Sequence, residues 1–158
     1  LDTLRGRVGD LERSLRAEFN SQMATVLDIL EFENLRKIEI TEQKKMVREE
    51  RRNVEKTVFN LQITRIGDEG EYRGSLEQLS ESEREIVGLV IGLSGYLVHD
   101  VSDECPVMLL DSIDALDAIR QKRLLEHMSE HQEYLIAAVL PEEGSVLAKT
   151  DEFNLIEW

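Results

Sequence analysis

An aspartate that follows a short apolar run is the clearest chemical signal in this sequence. Residues 107–110 are Val-Met-Leu-Leu, which is the pattern of a buried parallel strand, and Asp111 follows them directly. A carboxylate in that place can hold a Mg²⁺ ion against nucleotide phosphates. Asp117 follows in the same segment. Each carboxylate also has a structural alternative: Asp111 as the N-cap of the next helix, and Asp117 as an acidic residue in a first helical turn.

A second group of candidate residues lies upstream, where residues 79–83 read Leu-Ser-Glu-Ser-Glu and open a predicted helix. A helix N-terminus with a serine hydroxyl and free backbone N–H groups is an anion site, so Ser80 and Ser82 are candidates for contacting phosphate. The same stretch contains a capping box, Ser80-x-x-Glu83, which would need no nucleotide. The metal-binding candidate downstream favours the phosphate interpretation.

Several predicted elements have to position these residues. Residues 82–99 are apolar on most sides and predict a central helix, a polar helix is predicted at 118–129, and 134–140 read as a second buried strand. Strand, helix and strand together predict a right-handed parallel crossover. A short strand is predicted at 153–156. The central helix contains three glycines that would permit close packing, at a helical cost of ~1 kcal/mol each relative to alanine: Gly88, Gly92 and Gly95.

The N-terminal segment predicts one long helix over residues 2–31. Leu4, Val8, Leu11 and Leu15 recur at spacings of 4, 3 and 4, which indicates a coiled-coil seam. A broader apolar stripe follows and would dock the helix on a globular body. We therefore predict two parts, an arm and docking helix at 1–31 and a globular lobe at 32–158. The alternative is one amphipathic helix of a helical bundle.

Two stretches with a period of two, 36–46 and 54–66, predict an antiparallel hairpin with a charged tip. Basic residues concentrate there in an otherwise acidic chain. They are explained either by a solvated hairpin tip or by contact with DNA phosphates. The residues are Lys44, Lys45, Arg48, Arg51, Arg52 and Lys56.

Composition limits the class of protein. The chain has 158 residues and a net charge of −14, with 33 acidic against 19 basic residues. This charge argues against a generic nucleic-acid-binding surface, and it suits both a salt-adapted protein and an ordinary acidic one. Cys105 has no partner for a disulfide, which agrees with a reducing cytoplasm. No apolar run approaches the ~20 residues that cross a bilayer, so we expect no membrane association. The chain starts with leucine in mid-heptad, and we expect it to be a piece of a longer protein.

One histidine pair has a spacing that some zinc sites use. His127 and His131 are four residues apart on a predicted helix. No further ligand cluster is evident near them in the sequence. A surface pair is the interpretation that the sequence favours.

The ordered motifs resemble those of ATP-binding-cassette (ABC) proteins, in which a Leu-Ser-Gly-Gly signature precedes a Walker B strand and an Ala-Leu-Asp turn. Across roughly residues 1–147 the chain resembles the C-terminal lobe of an SMC-type ATPase head, a group that includes the structural-maintenance-of-chromosomes proteins and related double-strand-break repair ATPases. The wording at 79–85, 109–117 and 139–143 (Val-Leu-Pro-Glu-Glu) is similar to archaea-specific SMC-related proteins of halophilic archaea.

The chain departs from that family at three points. It contains no Gly-x-x-x-x-Gly-Lys-Ser/Thr, a motif that in SMC-type proteins lies in the distant N-terminal lobe. The glutamate that normally follows the Walker B aspartate is replaced by Ser112, which cannot act as a general base at neutral pH without an activator. Asp114 is the nearest carboxylate and our candidate substitute. The switch histidine is absent near residues 139–141.

The resemblance implies an α/β fold: the C-terminal lobe of an ABC-type P-loop ATPase head, with parallel Walker B strands flanked by helices, an antiparallel hairpin and an N-terminal coiled-coil segment. It implies ATP and Mg²⁺ as cofactors, with Asp111 at the metal and the remaining site residues at ATP. It also implies a cytoplasmic protein whose partners are its own N-terminal lobe, a second head joined across ATP, and DNA. The residues assigned to ATP are Ser80, Ser82, Glu83 and Asp117.

Three functions follow from this resemblance. The first is half of an ATPase that organises or repairs chromosomes and is inactive without its Walker A lobe. The second is a coiled-coil scaffold whose cassette senses nucleotide and hydrolyses it weakly, which Ser112 favours. The third, the ATPase subunit of a transporter, is disfavoured by the heptad seam.

Overall fold

A computed structural model describes residues 2–49, 52–148 and 153–156. It begins with helix α1 (Asp2–Leu30), which confirms the predicted N-terminal helix. Its seam residues Val8, Leu11 and Leu15 are exposed, and the side chain of Leu4 lies outside the described residues. The following turns enter the core through Met23, Val26, Leu27 and Leu30. The predicted boundary between residues 31 and 32 stays a prediction.

Strands β1 (Leu35–Glu49) and β2 (Arg52–Gly67) form the predicted antiparallel hairpin and are longer than the sequence pattern indicated. A short strand β3 (Gly70–Gly74), which we did not predict, pairs with β2 after the turn at Gly70, whose φ of 111° suits glycine. Strand β1 is an edge strand, so the N–H and C=O groups of Ile40 are open to partners outside the sheet. The Ile40 N–H donates to Asn20 Oδ1 of α1 at 2.7 Å, and Asn20 Nδ2 donates to the Ile40 carbonyl oxygen at 3.1 Å.

The predicted central helix is α2 (Glu81–Val98), which follows a 3-10 turn at Leu76–Gln78. It packs against α1, and the short helix α3 (Val101–Glu104) follows it. The expected close packing holds only at Gly95, where an added Cβ would lie 3.6 Å from the Phe19 ring. At Gly88 and Gly92 an added Cβ would meet open space, so the prediction was wrong there.

Strand β4 (Val107–Leu110) pairs in parallel with β5 (Tyr134–Ala137), and helix α4 (Ala118–Ser129) connects them as predicted. The two strands form a two-stranded sheet. We expected both strands to be buried, but only one face is covered. Met108 is buried, whereas Leu109 is 71% exposed and Ile136 is 60% exposed.

The C-terminal segment differs from the prediction in two ways. Strand β5 ends at Ala137, three residues before the predicted end at 140, and Pro141 starts helix α5 (Pro141–Leu147). The expected strand at 153–156 was wrong, because these residues have no regular secondary structure. One apolar core joins α1, the hairpin, α2, β4 and α4. Among the helices of the described ranges, none has both the length and the apolarity to cross a membrane.

Candidate functional site

The carboxyl end of β4 opens into a cavity of about 250 Å³. Asp111 is exposed there, and its Oδ1 accepts a hydrogen bond from the backbone N–H of Ser112 at 2.8 Å. Ser112 has a φ of 57°, a left-handed conformation that residues other than glycine adopt rarely and at a cost of roughly 1–3 kcal/mol. Asp114 lines the same cavity. The structure thus brings together three predicted site residues, Asp111, Ser112 and Asp114.

Glu143 completes this cavity and is the residue that sequence reasoning missed. It lies on α5 and lines the cavity with Asp111, Ala138 and Leu140. The signal that could have found it is the Pro-Glu-Glu run after the second parallel strand. A proline there favours a helix start, and the carboxyl ends of parallel strands meet at one edge, where ligands bind.

A fully buried amide holds the Glu143 carboxylate. Gln121 of α4 has no exposed surface, and its Nε2 donates to Glu143 Oε2 at 2.6 Å. The same Nε2 lies within hydrogen-bond distance of the carbonyl oxygens of Ile113 (3.2 Å) and Leu116 (3.0 Å). These acceptors fix the amide orientation, so Gln121 connects the loop after β4 to the carboxylate on α5.

The second predicted group, at the start of α2, forms a hydrogen-bonded cluster separate from the cavity lining. Ser80 is the N-cap, and its Oγ accepts from the Glu83 backbone N–H at 3.3 Å, while Glu83 Oε2 accepts from the Ser80 N–H at 2.8 Å. Ser82 Oγ lies 3.4 Å from Ser80 Oγ. The structural alternative of a capping box is therefore present, with all three residues at one helix end.

Glu83 is also tied to the hairpin. Its Oε1 accepts from Arg65 Nη2 of β2 at 2.5 Å, and both side chains are more than four-fifths buried. Burial alone would raise the pKa of Glu83, but hydrogen bonds from the backbone and hydroxyl of Ser80 and the Arg65 guanidinium hold it below the usual value. Glu83 is thus an ionised carboxylate that fixes Ser80 to the sheet.

Asp117 is the N-cap of α4, one position before the first helical turn in which its structural alternative placed it. Asp111, for which the N-cap alternative was given, lies six residues upstream of that position. Its Oδ1 accepts from the backbone N–H groups of Ile119 (3.1 Å) and Arg120 (2.9 Å), and its Oδ2 pairs with the Arg120 guanidinium. The hydrogen bond from the Arg120 backbone is the largest of the effects that lower the pKa of Asp117. Arg120 also donates to Leu30 O and Glu31 O at the end of α1.

The basic residues of the hairpin tip divide between the two faces of the sheet. Lys44 and Arg48 share one face, and Lys45 shares the other with Arg52, because successive residues of a strand alternate and Glu49 lies opposite Arg52. Lys44 pairs with Glu55 at 2.8 Å, and a hydrogen bond to that carboxylate raises its pKa. Arg51 lies outside the described residues. The predicted cluster is therefore two exposed strips rather than one patch.

The histidine pair on α4 has a third potential ligand that the sequence analysis did not find. The ligand atoms of His127, Glu130 and His131 lie within 4.8 Å of one another. However, His131 Nδ1 is already 2.9 Å from the His127 carbonyl oxygen, and His127 Nε2 is buried without a hydrogen-bond partner in the described structure. We therefore interpret His127 and His131 as part of the structure at the end of α4 and not as a metal site.

Comparison with known proteins finds similar segments in larger proteins. Smc-like protein Sph3 of Haloferax volcanii is 45% identical over 147 residues, which cover 92% of this chain and 22% of that protein. Smc-like protein Sph2 of Halobacterium salinarum is 40% identical over 157 residues, or 96% of this chain and 23% of that protein. Smc-like protein Sph1 of the same species is 36% identical over 92 residues.

The chain spans between a fifth and a quarter of the length of Sph3 and Sph2, and the match lies in the C-terminal portion of these larger proteins. No protein-family model matches the chain. The named relatives come from halophilic archaea, in agreement with the sequence resemblance and with the acidity of the chain.

Proposed function

Because the chain is homologous to the Smc-like proteins of halophilic archaea, we propose that it is the C-terminal lobe of an SMC-like ATPase head. In this proposal the lobe joins an N-terminal lobe that carries the P-loop. Two such heads then engage across ATP and drive chromosome organisation or DNA repair. The chain by itself would be inactive, because no P-loop occurs in it.

The cavity at the end of β4 is the single observation that carries this proposal. It places Asp111 at the carboxyl end of a parallel strand, where nucleotide ligands bind in α/β sheets. The loop that follows leads to Asp117 and α4, in the order of a Walker B strand and its Ala-Leu-Asp turn. A serine-capped helix, α2, provides the signature-like anion site.

The donor set fits Mg²⁺, which prefers oxygen ligands and commonly takes only one or two carboxylates besides phosphate and water. Asp111 is an exposed carboxylate, and one of its oxygens is fixed by the Ser112 N–H. Asp111 would hold the ion, which when bound neutralises charge on the phosphate oxygens. Fixing the carboxylate in advance orients it toward the cavity.

The second part of the proposed ATP site is the start of α2, separate from the cavity at Asp111. There, Ser80 and the helix N-terminus would contact the γ-phosphate of the ATP that the opposing head binds. Negative charge is stabilised there by the helix dipole and by free backbone N–H groups. Glu83 would act on Ser80 rather than on ATP, because Arg65 and the Ser80 backbone already hold its carboxylate. Phosphate binding would require the Ser80 hydroxyl to exchange Glu83 for phosphate.

Two surfaces support the proposed partners. The seam residues Val8, Leu11 and Leu15 are exposed along α1, as a helix that pairs with another strand of an arm requires. The exposed face of the β4–β5 sheet includes Leu109 and Ile136 and would be covered by the N-terminal lobe. DNA contact through the hairpin strips belongs to the same proposal.

A second candidate function is a coiled-coil scaffold whose cassette senses nucleotide and hydrolyses it slowly. Ser112 is the observation that favours it, because it occupies the position at which a catalytic glutamate would stand. The two candidates differ in turnover and agree on ATP-driven engagement of heads.

Engagement can be tested by substitutions that separate capping from phosphate binding. Ser80→Asp keeps a good N-cap but adds a negative charge at the phosphate position, whereas Ser80→Thr keeps both functions. In a protein that joins this chain to its proposed N-terminal lobe, we expect ATP-dependent dimers in analytical ultracentrifugation for wild type and Ser80→Thr. We expect none for Ser80→Asp or Ser80→Arg.

The control is Ser75→Arg, because Ser75 is another exposed N-cap just upstream. Melting temperatures of the 158-residue chain check that Ser80→Asp still folds. Wild-type dimerisation by Ser80→Asp would reduce Ser80 to a helix cap and contradict the proposed site.

A further inference from the structure

We propose that Glu143 is the general base for ATP hydrolysis, in place of the glutamate that the sequence lacks after Asp111; this inference rests on the function proposed above. Glu143 shares the cavity with Asp111, and it reaches that cavity from α5 rather than from the loop after β4. The cavity therefore receives a carboxylate from a neighbouring element in addition to Asp114, the carboxylate of the loop after β4.

The way in which Glu143 is held supports this role. Gln121 is fully buried on α4 and donates its amide to Glu143 Oε2 at 2.6 Å. One oxygen is thereby fixed, and the carboxylate retains a second oxygen that can accept a proton from water. A buried donor of this kind positions a base, because productive geometry depends on locked rotamers around the reacting group.

The other two candidates in the cavity are less suitable. Ser112 has a hydroxyl, which does not accept a proton at neutral pH without an activating partner. Asp114 has the right chemistry, but within the described ranges its carboxylate takes part in no hydrogen bond or ion pair and is exposed. Glu143 is the carboxylate of this cavity that a buried side chain orients.

In the proposed step, a water oxygen forms a bond to the γ-phosphorus of ATP while the bond from that phosphorus to the β–γ bridging oxygen breaks. The bridging oxygen keeps the electron pair and leaves with ADP. Glu143 accepts the proton that the attacking water loses, and releases it later to solvent. Gln121 acts only on Glu143, as a positioning residue.

The decisive variant is Glu143→Gln in the protein joined to its proposed N-terminal lobe. Its amide oxygen can still accept from Gln121, so the fold is retained while the base is lost. Losing a general base lowers turnover by ~10²–10⁴-fold, and we expect a loss in this range. ATP-driven dimerisation should persist, because binding does not need the base, and the dimer should outlive that of the wild type.

The matched control is Glu142→Gln, which removes the same charge from the neighbouring exposed position of α5. It should hydrolyse ATP within about threefold of wild type, well below the effect of losing a base. Asp114→Asn tests the competing carboxylate. A loss of turnover in Asp114→Asn that exceeds the loss in Glu143→Gln would overturn the assignment to Glu143.

The outcomes separate this inference from the function on which it rests. If the wild-type protein shows no ATP-driven dimer, the proposed head function fails and the base assignment fails with it. If wild type dimerises and Glu143→Gln hydrolyses ATP at the wild-type rate, only the assignment of Glu143 fails. Loss of both dimerisation and turnover in Glu143→Gln would make Glu143 a structural residue and also overturn the assignment.

Discussion

Among single residues, His127 makes the stability of the fold depend on pH. It lies in the last turn of α4, and burial lowers its pKa most, followed by the neighbouring His131, with Glu130 opposing both. A pKa that is lower in the folded state means that the unfolded chain binds protons more readily. The stability contributed by neutral His127 is therefore complete above the unfolded pKa of about 6.5 and falls as the pH drops below it.

We therefore predict that the 158-residue chain loses stability between pH 7.5 and pH 5.5, a range in which ordinary carboxylates stay ionised. Urea unfolding at both pH values measures this difference directly. His127→Gln should reduce the difference, because it removes the group that gains a proton on unfolding. His99→Gln, at the exposed end of α2, should retain it. An equal pH dependence in all three proteins would contradict the prediction.

The residues that could be predicted are those whose partners are local in sequence. Ser80 and Glu83 form a capping box because the spacing of three fits a helix start. Asp117 was expected at the start of α4, and its side chain caps that helix through the backbone N–H groups two and three residues on. Gln121 could not be predicted as buried, since its acceptors include Ile113 O and the Glu143 carboxylate, which only the tertiary fold brings near.

At the scale of elements, Arg120 joins the start of α4 to the end of α1. Its Nε donates to Leu30 O at 2.8 Å and its Nη2 to Glu31 O at 3.1 Å, and its guanidinium lies 4.8 Å from the Phe32 ring centroid. These donors satisfy carbonyls that a helix C-terminus leaves free. The Arg120 side chain thus links Asp117, a residue of the proposed ATP site, to the last residue of α1 and the residue after it.

Removing the Arg120 side chain should lower the stability of the fold. We predict that Arg120→Gln lowers the free energy of unfolding by about 1.5–3 kcal/mol, the usual range for hydrogen bonds that involve a charged group. Arg123→Gln is the control, because Arg123 pairs with the exposed carboxylate of Glu31 and its removal should cost less than about 1 kcal/mol. Denaturant titration of the isolated chain compares them. Equal losses would mean that the hydrogen bonds from Arg120 to the two carbonyls add nothing.

A further prediction concerns the hairpin, where the charge of each basic strip is reversed in a separate double variant. Lys44→Glu with Arg48→Glu changes one face, and Lys45→Glu with Arg52→Glu changes the other. All four side chains are exposed, so the melting temperature should change little. If DNA lies on one face, only one double variant should weaken binding, and the salt slope should fall by about 0.9 for each phosphate that the variant no longer neutralises.

Fluorescence anisotropy with labelled duplex DNA, over a range of salt concentrations, measures this effect in the protein joined to its proposed N-terminal lobe. If both double variants keep the DNA affinity and the salt slope of the wild type, the basic residues are explained by a solvated hairpin tip and not by DNA contact. Equal weakening by both would indicate general electrostatic attraction rather than a defined DNA-binding face.

The elements themselves were predictable where periodicity alone determines them. The bounds of α4 agree with the prediction because its polar and apolar residues alternate with a helical period. The exposure of β4 was not predictable, because a run of four apolar residues does not reveal whether another layer covers each face of its sheet. The unpredicted β3 depends on pairing with β2, which a five-residue segment does not specify.

At the scale of the whole molecule, the β4–β5 sheet is incomplete by itself. Val107, Leu109, Tyr134 and Ile136 point to one face, and each is between 42% and 71% exposed. Parallel sheets are found almost only where both faces are covered, so this face requires another layer. In the proposed head, that layer is the N-terminal lobe, and the cavity at Asp111 lies at the end of the same sheet.

We predict that Leu109→Lys is nearly neutral in the isolated chain and destabilising in the protein joined to its proposed N-terminal lobe. In the isolated chain it should change the free energy of unfolding by less than about 0.5 kcal/mol, because Leu109 is already in water. In the protein joined to its proposed N-terminal lobe, the same lysine would be buried without a partner charge, and an uncompensated buried charge costs about 3–5 kcal/mol. Thermal unfolding of both proteins gives the comparison, and co-purification of separately expressed lobes gives a second measurement.

Ile156→Lys is the matched control, because Ile156 is 79% exposed and lies outside the sheet. It should be tolerated in both contexts, so that a loss specific to Leu109→Lys reports the covered face rather than a general effect of a new cation. If Leu109→Lys is equally harmless in the joined protein, the sheet face stays in solvent there. The N-terminal lobe would then contact the chain elsewhere, and the cavity at Asp111 would not be completed along the β4–β5 sheet.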